Sequence, residues 1–268
     1  MALGPWTGRL AALGLICLAA LVPARPASAG SSPDLDILKA CYPGAWQGVE
    51  KDASGAAYLV MADGARLIYD DGQDKTPEEA LEHPDLKDML AQLYPLGPVT
   101  QEPAPGLHPG RCRVQAFFQA VYGHDEVEVR NNLVPVRFLN TTVLFNRQNG
   151  AAKALQDVAA ELSGLLAAHP EYKRFILPVD GTFFWRTIAR TGRLSLHSFG
   201  VAIDLNAKRN TYWQWHKGSA LALRLRFPVE VMEIFEGHGF IWGGKWAEFD
   251  LMHFEYRPEL IAKAKQPR

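Results

Sequence analysis

Two short strings in the second half of the chain carry the residue types of a metal site. The first, S-x-H-x-x-G-x-A-x-D, ends at Asp204, and the second, D-x-x-H-F-E, begins at Asp250. They supply His197, Asp204 and His253 as two imidazoles and one carboxylate, with Asp250 as a spare acid three residues before the last histidine. Three protein ligands, an open position for water and a carboxylate that does not bind the metal are the components of a catalytic zinc site.

The residues between His197 and Asp204 predict how these side chains are aimed. Alternation of apolar and small or polar residues indicates a β-strand in which Asp204 points away from the apolar face. Because His197 has the wrong parity to share the face of Asp204, the chain must turn or bulge between them, and Gly200 can supply the unusual backbone angles. The three-residue offset between Asp250 and His253 likewise suits a turn better than a flat strand.

The start of the chain has the features of an export signal. Residues 1–9 are short with one basic residue, residues 10–22 form an apolar run, and Ala27-Ser28-Ala29 is a small-x-small cleavage signal. We expect a signal peptide at residues 1–29, a secreted or periplasmic protein, and no stable membrane span after cleavage. An uncleaved anchor is the alternative, but the apolar run is short for a span of about 20 residues.

The expected mature chain contains two cysteines, Cys41 and Cys112. In an oxidising compartment an even pair favours a disulfide over two free thiols. Such a bridge would join the front segment to the start of the part that contains both strings.

Composition and prolines suggest how the rest of the chain is organised. The net charge is −1 and no polybasic block is present, so the sequence does not favour nucleic acid as a partner. Five prolines fall within residues 95–109, a stretch that can be neither a helix nor a central strand. We therefore predict an N-terminal accessory segment at residues 30–108, by default a structural cap or lid, and a second domain at residues 109–268.

The predicted secondary structure is mixed. Asp63-Gly64 indicates a hairpin, Thr76 starts a helix, and further helices are predicted at residues 85–94, 149–169 and 228–236, with a short strand at residues 175–179. Helices and strands that do not alternate strictly indicate an α+β fold. We expect a small, mainly antiparallel sheet flanked by helices, with the N-terminal accessory segment beside it.

The strings around both histidines resemble those of the zinc D-alanyl-D-alanine carboxypeptidase family. This family includes the vancomycin-resistance D,D-peptidases and the L-alanyl-D-glutamate endopeptidases of phage lysins and spore-forming bacteria. The resemblance covers roughly residues 111–258 and is most specific at residues 195–204 and 239–255. No counterpart of residues 30–108 is recognised.

The resemblance implies roles for the residues of both strings. His197, Asp204 and His253 would hold Zn²⁺, and Asp250 would be the catalytic base. Many members of the family have glutamate at the position of the base, and aspartate there is more similar to the endopeptidase branch.

The family also places an arginine upstream of the first histidine. Arg186 is our candidate, with Arg190 and Arg193 as rivals because the interval from Arg186 to the histidine is short. Such an arginine would add a fixed positive charge for the oxyanion or for a substrate carboxylate. A surface salt bridge is the alternative role for Arg186.

Three further residues are candidates for substrate binding or for support of the ligands. Ser195 would hydrogen-bond substrate or cap the turn before the first histidine. Trp242, together with Trp246, would form a wall of the cleft or pack in the core. Glu255 would orient His253 as an outer partner of its imidazole, without binding the metal itself.

By this resemblance the sequence predicts a secreted zinc metallopeptidase that hydrolyses peptidoglycan stem peptides by metal-activated water. D,D-carboxypeptidase and L-Ala-D-Glu endopeptidase activities both remain open. The alternatives are a non-catalytic cell-wall-binding protein that keeps the zinc fold, and a metallohydrolase of other small peptides. An acid at position 250 favours the enzyme.

Overall fold

The computed structural model describes residues 1–2, 4, 32–188 and 191–267. The cleavage site and the apolar run of the expected signal peptide lie outside these residues, as does Arg190. Within the described ranges, no helix combines the length and the apolar character that crossing a bilayer requires.

The front segment contains a three-stranded antiparallel sheet, with one helix before it and two helices after it along the chain. The strands are β1 (Trp46–Lys51), β2 (Ala57–Met61) and β3 (Arg66–Asp70), and the helices are α1 (Pro33–Cys41), α2 (Pro77–Glu82) and α3 (Leu86–Ala91). The predicted hairpin is confirmed, with Gly64 at a φ of 89° between β2 and β3. Helix α2 begins at the predicted cap, because Thr76 and Glu79 form a reciprocal capping box.

The middle of the chain supplies a hairpin and the longest helix among the described residues. In chain order the elements are α4 (Gln115–Tyr122), α5 (Glu126–Asn132), β4 (Leu133–Phe138), β5 (Thr141–Asn146), α6 (Ala151–Ala168) and α7 (Lys173–Ile176). The amphipathic helix predicted at residues 149–169 is confirmed as α6. The strand predicted at residues 175–179 is wrong, since its first half is helical; an apolar run this short cannot separate helix from strand by period.

The last part of the chain forms a sheet of four antiparallel strands. Its elements are β6 (Val179–Gly181), β7 (Ala202–Leu205), α8 (Leu221–Arg224), α9 (Val229–Gly237), β8 (Phe240–Trp242), β9 (His253–Tyr256) and α10 (Pro258–Ala264). The strand order is β6-β7-β9-β8, so β7 and β9 are the central pair. Small antiparallel sheets flanked by helices confirm the predicted α+β class.

One apolar core continues through both parts of the chain. It includes Leu38 and Tyr42 from the front segment and Phe118, Phe235 and Phe254 from the second part. The rings of Phe235 and Phe254 stack with centroids 4.1 Å apart beneath the four-stranded sheet. The domain division at residue 108 stays a prediction, and the core crosses it.

The predicted disulfide is not formed, since Cys41 and Cys112 both carry free thiols. Burial raises the pKa of each thiol to about 12. The two thiols have different surroundings. The Cys112 Sγ donates to the carbonyl of Ala80 at 3.2 Å. Cys41 is the last residue of α1, and the negative charge of Glu259 further raises the pKa of its thiol. A disulfide requires the two cysteines to lie close together in the fold. An even number of cysteines does not give the distance between them, so the prediction from the count was wrong.

Candidate metal centre

The central strands and one short turn bring the two histidines and the aspartate together. Asp204 on β7 lies directly opposite His253 on β9 in the antiparallel register. His197 comes from a 3-10 turn at Leu196–Phe199, which Gly200 closes with a φ of 65°. The positive φ favours glycine, and a Cβ at Gly200 would lie 2.5 Å from the Cδ2 of Leu133, so the leucine side chain would have to shift. The predicted bend between the histidine and the aspartate is confirmed.

Three ligand atoms converge in this arrangement. The Nδ1 of His253 lies 2.9 Å from the Oδ1 of Asp204, and the Nε2 of His197 lies 3.2 Å from the same oxygen. The two ring nitrogens are 3.2 Å apart. His197, Asp204 and His253 therefore form a group that can hold a metal ion, with all three ligand atoms within 4.8 Å of one another.

The far side of each imidazole shows which nitrogen is left for a metal. The Nδ1 of His197 lies 2.6 Å from the carbonyl oxygen of Thr182, and the Nε2 of His253 lies 3.0 Å from a carboxylate oxygen of Glu255. Both partners are acceptors, so these two nitrogens carry hydrogens, and the converging nitrogens are the ones left to bind a cation. Two imidazoles and a carboxylate held in this way fit zinc.

Charge is strongly coupled across the group. Burial opposes ionisation of Asp204, but the imidazoles of His197 and His253 hold the pKa of its carboxyl well below its usual range. Burial also opposes a charge on His253, yet hydrogen bonds to Asp204 and Glu255 raise the pKa of its imidazole to about 10. Without a metal, the imidazole of His253 therefore keeps a proton between the carboxylates of Asp204 and Glu255. A bound cation would take the place of that proton.

Asp250 lies beside this group with an unpartnered oxygen. Its Oδ1 is buried and has no hydrogen-bond partner among the described residues, while its backbone N–H donates to the carbonyl of Gly243 at 3.0 Å. Burial raises the pKa of the Asp250 carboxyl to about 6. A carboxyl with a pKa near neutrality and a free oxygen has the properties of a general base. The turn predicted between Asp250 and His253 is confirmed, because β9 begins only at His253.

Among the described residues, neither Arg186 nor Arg193 makes a hydrogen bond or an ion pair to this group. Arg186 is exposed, and its guanidinium has no hydrogen-bond or ion-pair partner in the part of the chain that is described. Arg193 donates to the carbonyl of Leu81 in α2. Arg190 lies outside the described residues. A role for Arg186 in catalysis stays a prediction.

Arg111 is a residue that the sequence interpretation missed. Its guanidinium lies 4.9 Å from the centroid of the Trp246 ring, and that ring is 5.7 Å from the ring of His253. It donates to the carbonyl of Glu248 at 2.7 Å, and its charge acts on Asp250 in the direction that favours the carboxylate. No local pattern marks Arg111, because the residues it meets lie far along the chain.

The three supporting candidates have different positions. The Ser195 hydroxyl accepts from the backbone N–H of His197 at 3.3 Å, so the turn-capping alternative matches its contacts. Trp242 is 1 % exposed and its Nε1 donates to the carbonyl of Leu251 at 2.9 Å, which places it in the core rather than on a cleft wall. Glu255 contacts His253 as predicted.

The loop that leads to Asp250 is held by buried charges. Arg224 donates to the carbonyls of Gly244 at 2.8 Å and Trp246 at 2.9 Å, and it is paired with Glu102 from the proline-rich stretch. Lys245 donates to a carboxylate oxygen of Glu236 at 2.5 Å. Contacts from the proline-rich stretch therefore help to fix the loop before the acid.

Comparison with known proteins gives one match. Residues 189–256 match a family described as D-alanyl-D-alanine carboxypeptidase. This range contains His197, Asp204, Asp250 and His253, and it supports a carboxypeptidase-type peptidase family without indicating a specific member. Neither the curated proteins nor the solved structures gave a match.

Proposed function

We propose that this protein is a secreted zinc metallopeptidase that hydrolyses peptide bonds in peptidoglycan stem peptides. The observation that carries the proposal is the convergence of the His197 Nε2, the Asp204 Oδ1 and the His253 Nδ1 beside the unpartnered Oδ1 of Asp250. The family match over residues 189–256 supports the peptidase activity. Export follows from the signal sequence expected at residues 1–29.

In this proposal His197, Asp204 and His253 hold the metal. Bound zinc supplies a Lewis acid that polarises the scissile carbonyl and lowers the pKa of water to about 7. Asp250 accepts a proton from the attacking water and later delivers it to the leaving amine. Arg111 provides a positive charge near the reacting groups, which favours the negative charge that develops on the carbonyl oxygen.

The substrate class rests on the family rather than on the shape of the site. Both a terminal D-Ala and the L-Ala-D-Glu bond belong to wall stem peptides, and the aspartate at position 250 is more similar to the endopeptidase branch of the family. The proposal therefore covers both endopeptidase cleavage of the stem and removal of a terminal D-Ala, and the reaction products distinguish the two.

The test is mass spectrometry of purified wall fragments incubated with the zinc-loaded mature protein. We expect cleavage that depends on zinc and stops in a control treated with a chelator. Fragments that end in L-Ala would identify an endopeptidase, and loss of D-Ala would identify a carboxypeptidase. Absence of any stem cleavage, with stoichiometric zinc verified, would overturn the enzymatic proposal and favour wall binding.

The charge state of the metal-free centre gives a second expected result. Because the pKa of His253 is raised to about 10, its imidazole holds a proton at pH 7 that a metal must displace. Zinc binding at pH 7 should release about one proton, and the apparent affinity should rise about tenfold per pH unit below the pKa of His253. Calorimetry in buffers of different ionisation enthalpy measures the released protons, and a value near zero would contradict this charge state.

A further inference from the structure

The carboxylate that holds His253 is itself held by a buried chain of charges. The Oε1 of Glu255 accepts a hydrogen bond from the Nη1 of Arg257 at 3.2 Å, and its Oε2 is paired with Arg113 at 3.4 Å. The Nε of Arg257 donates to the Oε1 of Glu259 at 2.5 Å. Glu255, Arg257 and Glu259 are all fully buried. No step of the proposed reaction uses Arg257 or Glu259.

The chain of charges ends on the front segment. The hydroxyl of Tyr42 donates to the Oε2 of Glu259 at 2.6 Å, and Tyr42 is fully buried where α1 ends. Burial raises the pKa of this hydroxyl well above its usual range, so it remains a neutral donor. A continuous series of contacts therefore runs from His253 through Glu255, Arg257 and Glu259 to Tyr42.

The backbone at Gly110 closes around the same groups. Its carbonyl accepts from the Nη1 of Arg257 at 2.9 Å, and its φ is 97°. A Cβ there would lie 2.7 Å from the Oε1 of Glu255, so a side chain at Gly110 would displace the carboxylate. The position of Glu255 is fixed from several directions, and one of them originates in the front segment.

We propose that the front segment is part of the support of the metal centre, with Tyr42 as a positioning residue for His253. The inference rests on the proposed metal site. The Tyr42 hydroxyl fixes Glu259, which orients Arg257, and Arg257 fixes the carboxylate of Glu255. The Glu255 carboxylate in turn sets the ring orientation of His253 and keeps its hydrogen on Nε2, so that Nδ1 faces the metal.

A tyrosine at the same kind of interface provides a matched control. Tyr94 also lies in the front segment, is buried, and donates through its hydroxyl to a buried carboxylate of the second part, Glu236, at 2.5 Å. Glu236 pairs with Lys245 and has no contact with the series that leads to His253. Loss of the Tyr42 hydroxyl removes one buried hydrogen bond. Loss of the Tyr94 hydroxyl removes its bond to Glu236 and also the bond that it accepts from the backbone N–H of Trp242 at 3.0 Å, so the control is at least as disruptive. Only loss of the Tyr42 hydroxyl acts on the series of contacts that leads to His253.

The experiment compares Tyr42→Phe with Tyr94→Phe in the full mature chain. Zinc affinity is measured by competition with a chromophoric chelator, and the ligand field is measured from the absorption spectrum of the cobalt-substituted protein. Changes in outer partners of metal ligands cost about 10–100-fold in affinity, and Glu255→Gln should fall in that range. Tyr42→Phe, which acts through three groups, should weaken zinc binding by about three- to tenfold and shift the cobalt bands.

The outcomes separate this inference from the proposed function. Tyr94→Phe should keep the wild-type zinc affinity and cobalt spectrum. If wild-type protein binds zinc and Tyr42→Phe binds it equally well with an unchanged spectrum, the positioning role is wrong and the proposed function stands. If wild-type protein binds no zinc, both are wrong. Should Tyr42→Phe not fold, Glu259→Gln replaces it, and unchanged zinc affinity in that variant overturns the inference.

Discussion

Replacing Asp250 with asparagine should lower turnover by about 10²–10⁴-fold while zinc remains bound, because general acid–base catalysis contributes about that much. An amide keeps the size of the side chain but cannot accept the proton of the attacking water. The Oδ1 of Asp250 has no partner among the described residues, so the substitution breaks no side-chain hydrogen bond there that the fold needs. Steady-state kinetics and metal analysis of the purified variant measure the two effects separately.

The pH profile supplies an internal check on this assignment. Burial raises the pKa of Asp250 to about 6 in the protein without a metal, and a zinc ion beside the carboxyl favours its ionised form and lowers that pKa. Wild-type kcat/KM should therefore have an acid limb below pH 6, where the base becomes protonated and inactive, and Asp250→Asn should lose this limb. His197→Ala is the contrasting variant, since it should lose both zinc and turnover. Full hydrolysis by Asp250→Asn would show that another group is the base.

The arrangement of His197 and Asp204 could be predicted because its geometry is local. Residues 195–204 form one turn followed by one strand, and alternation along that strand already fixes the face on which Asp204 lies. His253 then meets Asp204 through the register of β7 and β9, which no spacing rule specifies. The family resemblance supplied that pairing, and the structure agrees with it.

The residues that surround the group could not be predicted, because their contacts join distant parts of the chain. Tyr42 meets Glu259 across 217 positions, and Arg111 meets Glu248 across 137. Neither contact leaves a periodic pattern, and both depend on how the front segment packs. Pairing of Cys41 with Cys112 was wrong for the same reason, since distance in the fold cannot be read from a count.

The front segment carried no chemical motif, and a structural cap or lid was its default interpretation. Its side chains contact residues that surround the candidate metal centre. Tyr42 reaches the support of His253, whereas Tyr94 and Glu102 reach Glu236 and Arg224, which border the loop before Asp250. Residues of the front segment therefore contact the supports of both the proposed metal ligand His253 and the proposed base Asp250.

The buried charges behind His253 lead to the largest expected effect on stability. Arg257→Met removes the cation between Glu255 and Glu259, and all three groups are fully buried. Breaking a buried pair while leaving its partner charged typically costs about 3–5 kcal/mol. We expect a loss of that size in the free energy of unfolding of the metal-free protein at pH 7, measured by denaturant titration.

The pH dependence of that loss separates charge from packing. Burial opposes the charge of Glu255, but His253, Arg113 and Arg257 hold the pKa of its carboxyl at about 2, below the unfolded value of about 4.3. The stability that ionised Glu255 contributes is therefore present above about pH 4.3 and is lost as the pH falls through about 2. Without Arg257 this lowering of the pKa is smaller, so the deficit of the variant should be full at pH 7 and shrink at pH 3.5.

Arg130→Met is the control for this comparison, since Arg130 pairs with Glu126 at the surface and both side chains are exposed. Its loss should be within about 1 kcal/mol at pH 7. A deficit of Arg257→Met that is equally large at both pH values would mean that the arginine fills space rather than balances charge. In that case the side chains between Tyr42 and His253 would support the metal centre by packing alone. The hydrogen bond of the Tyr42 hydroxyl would then not position His253.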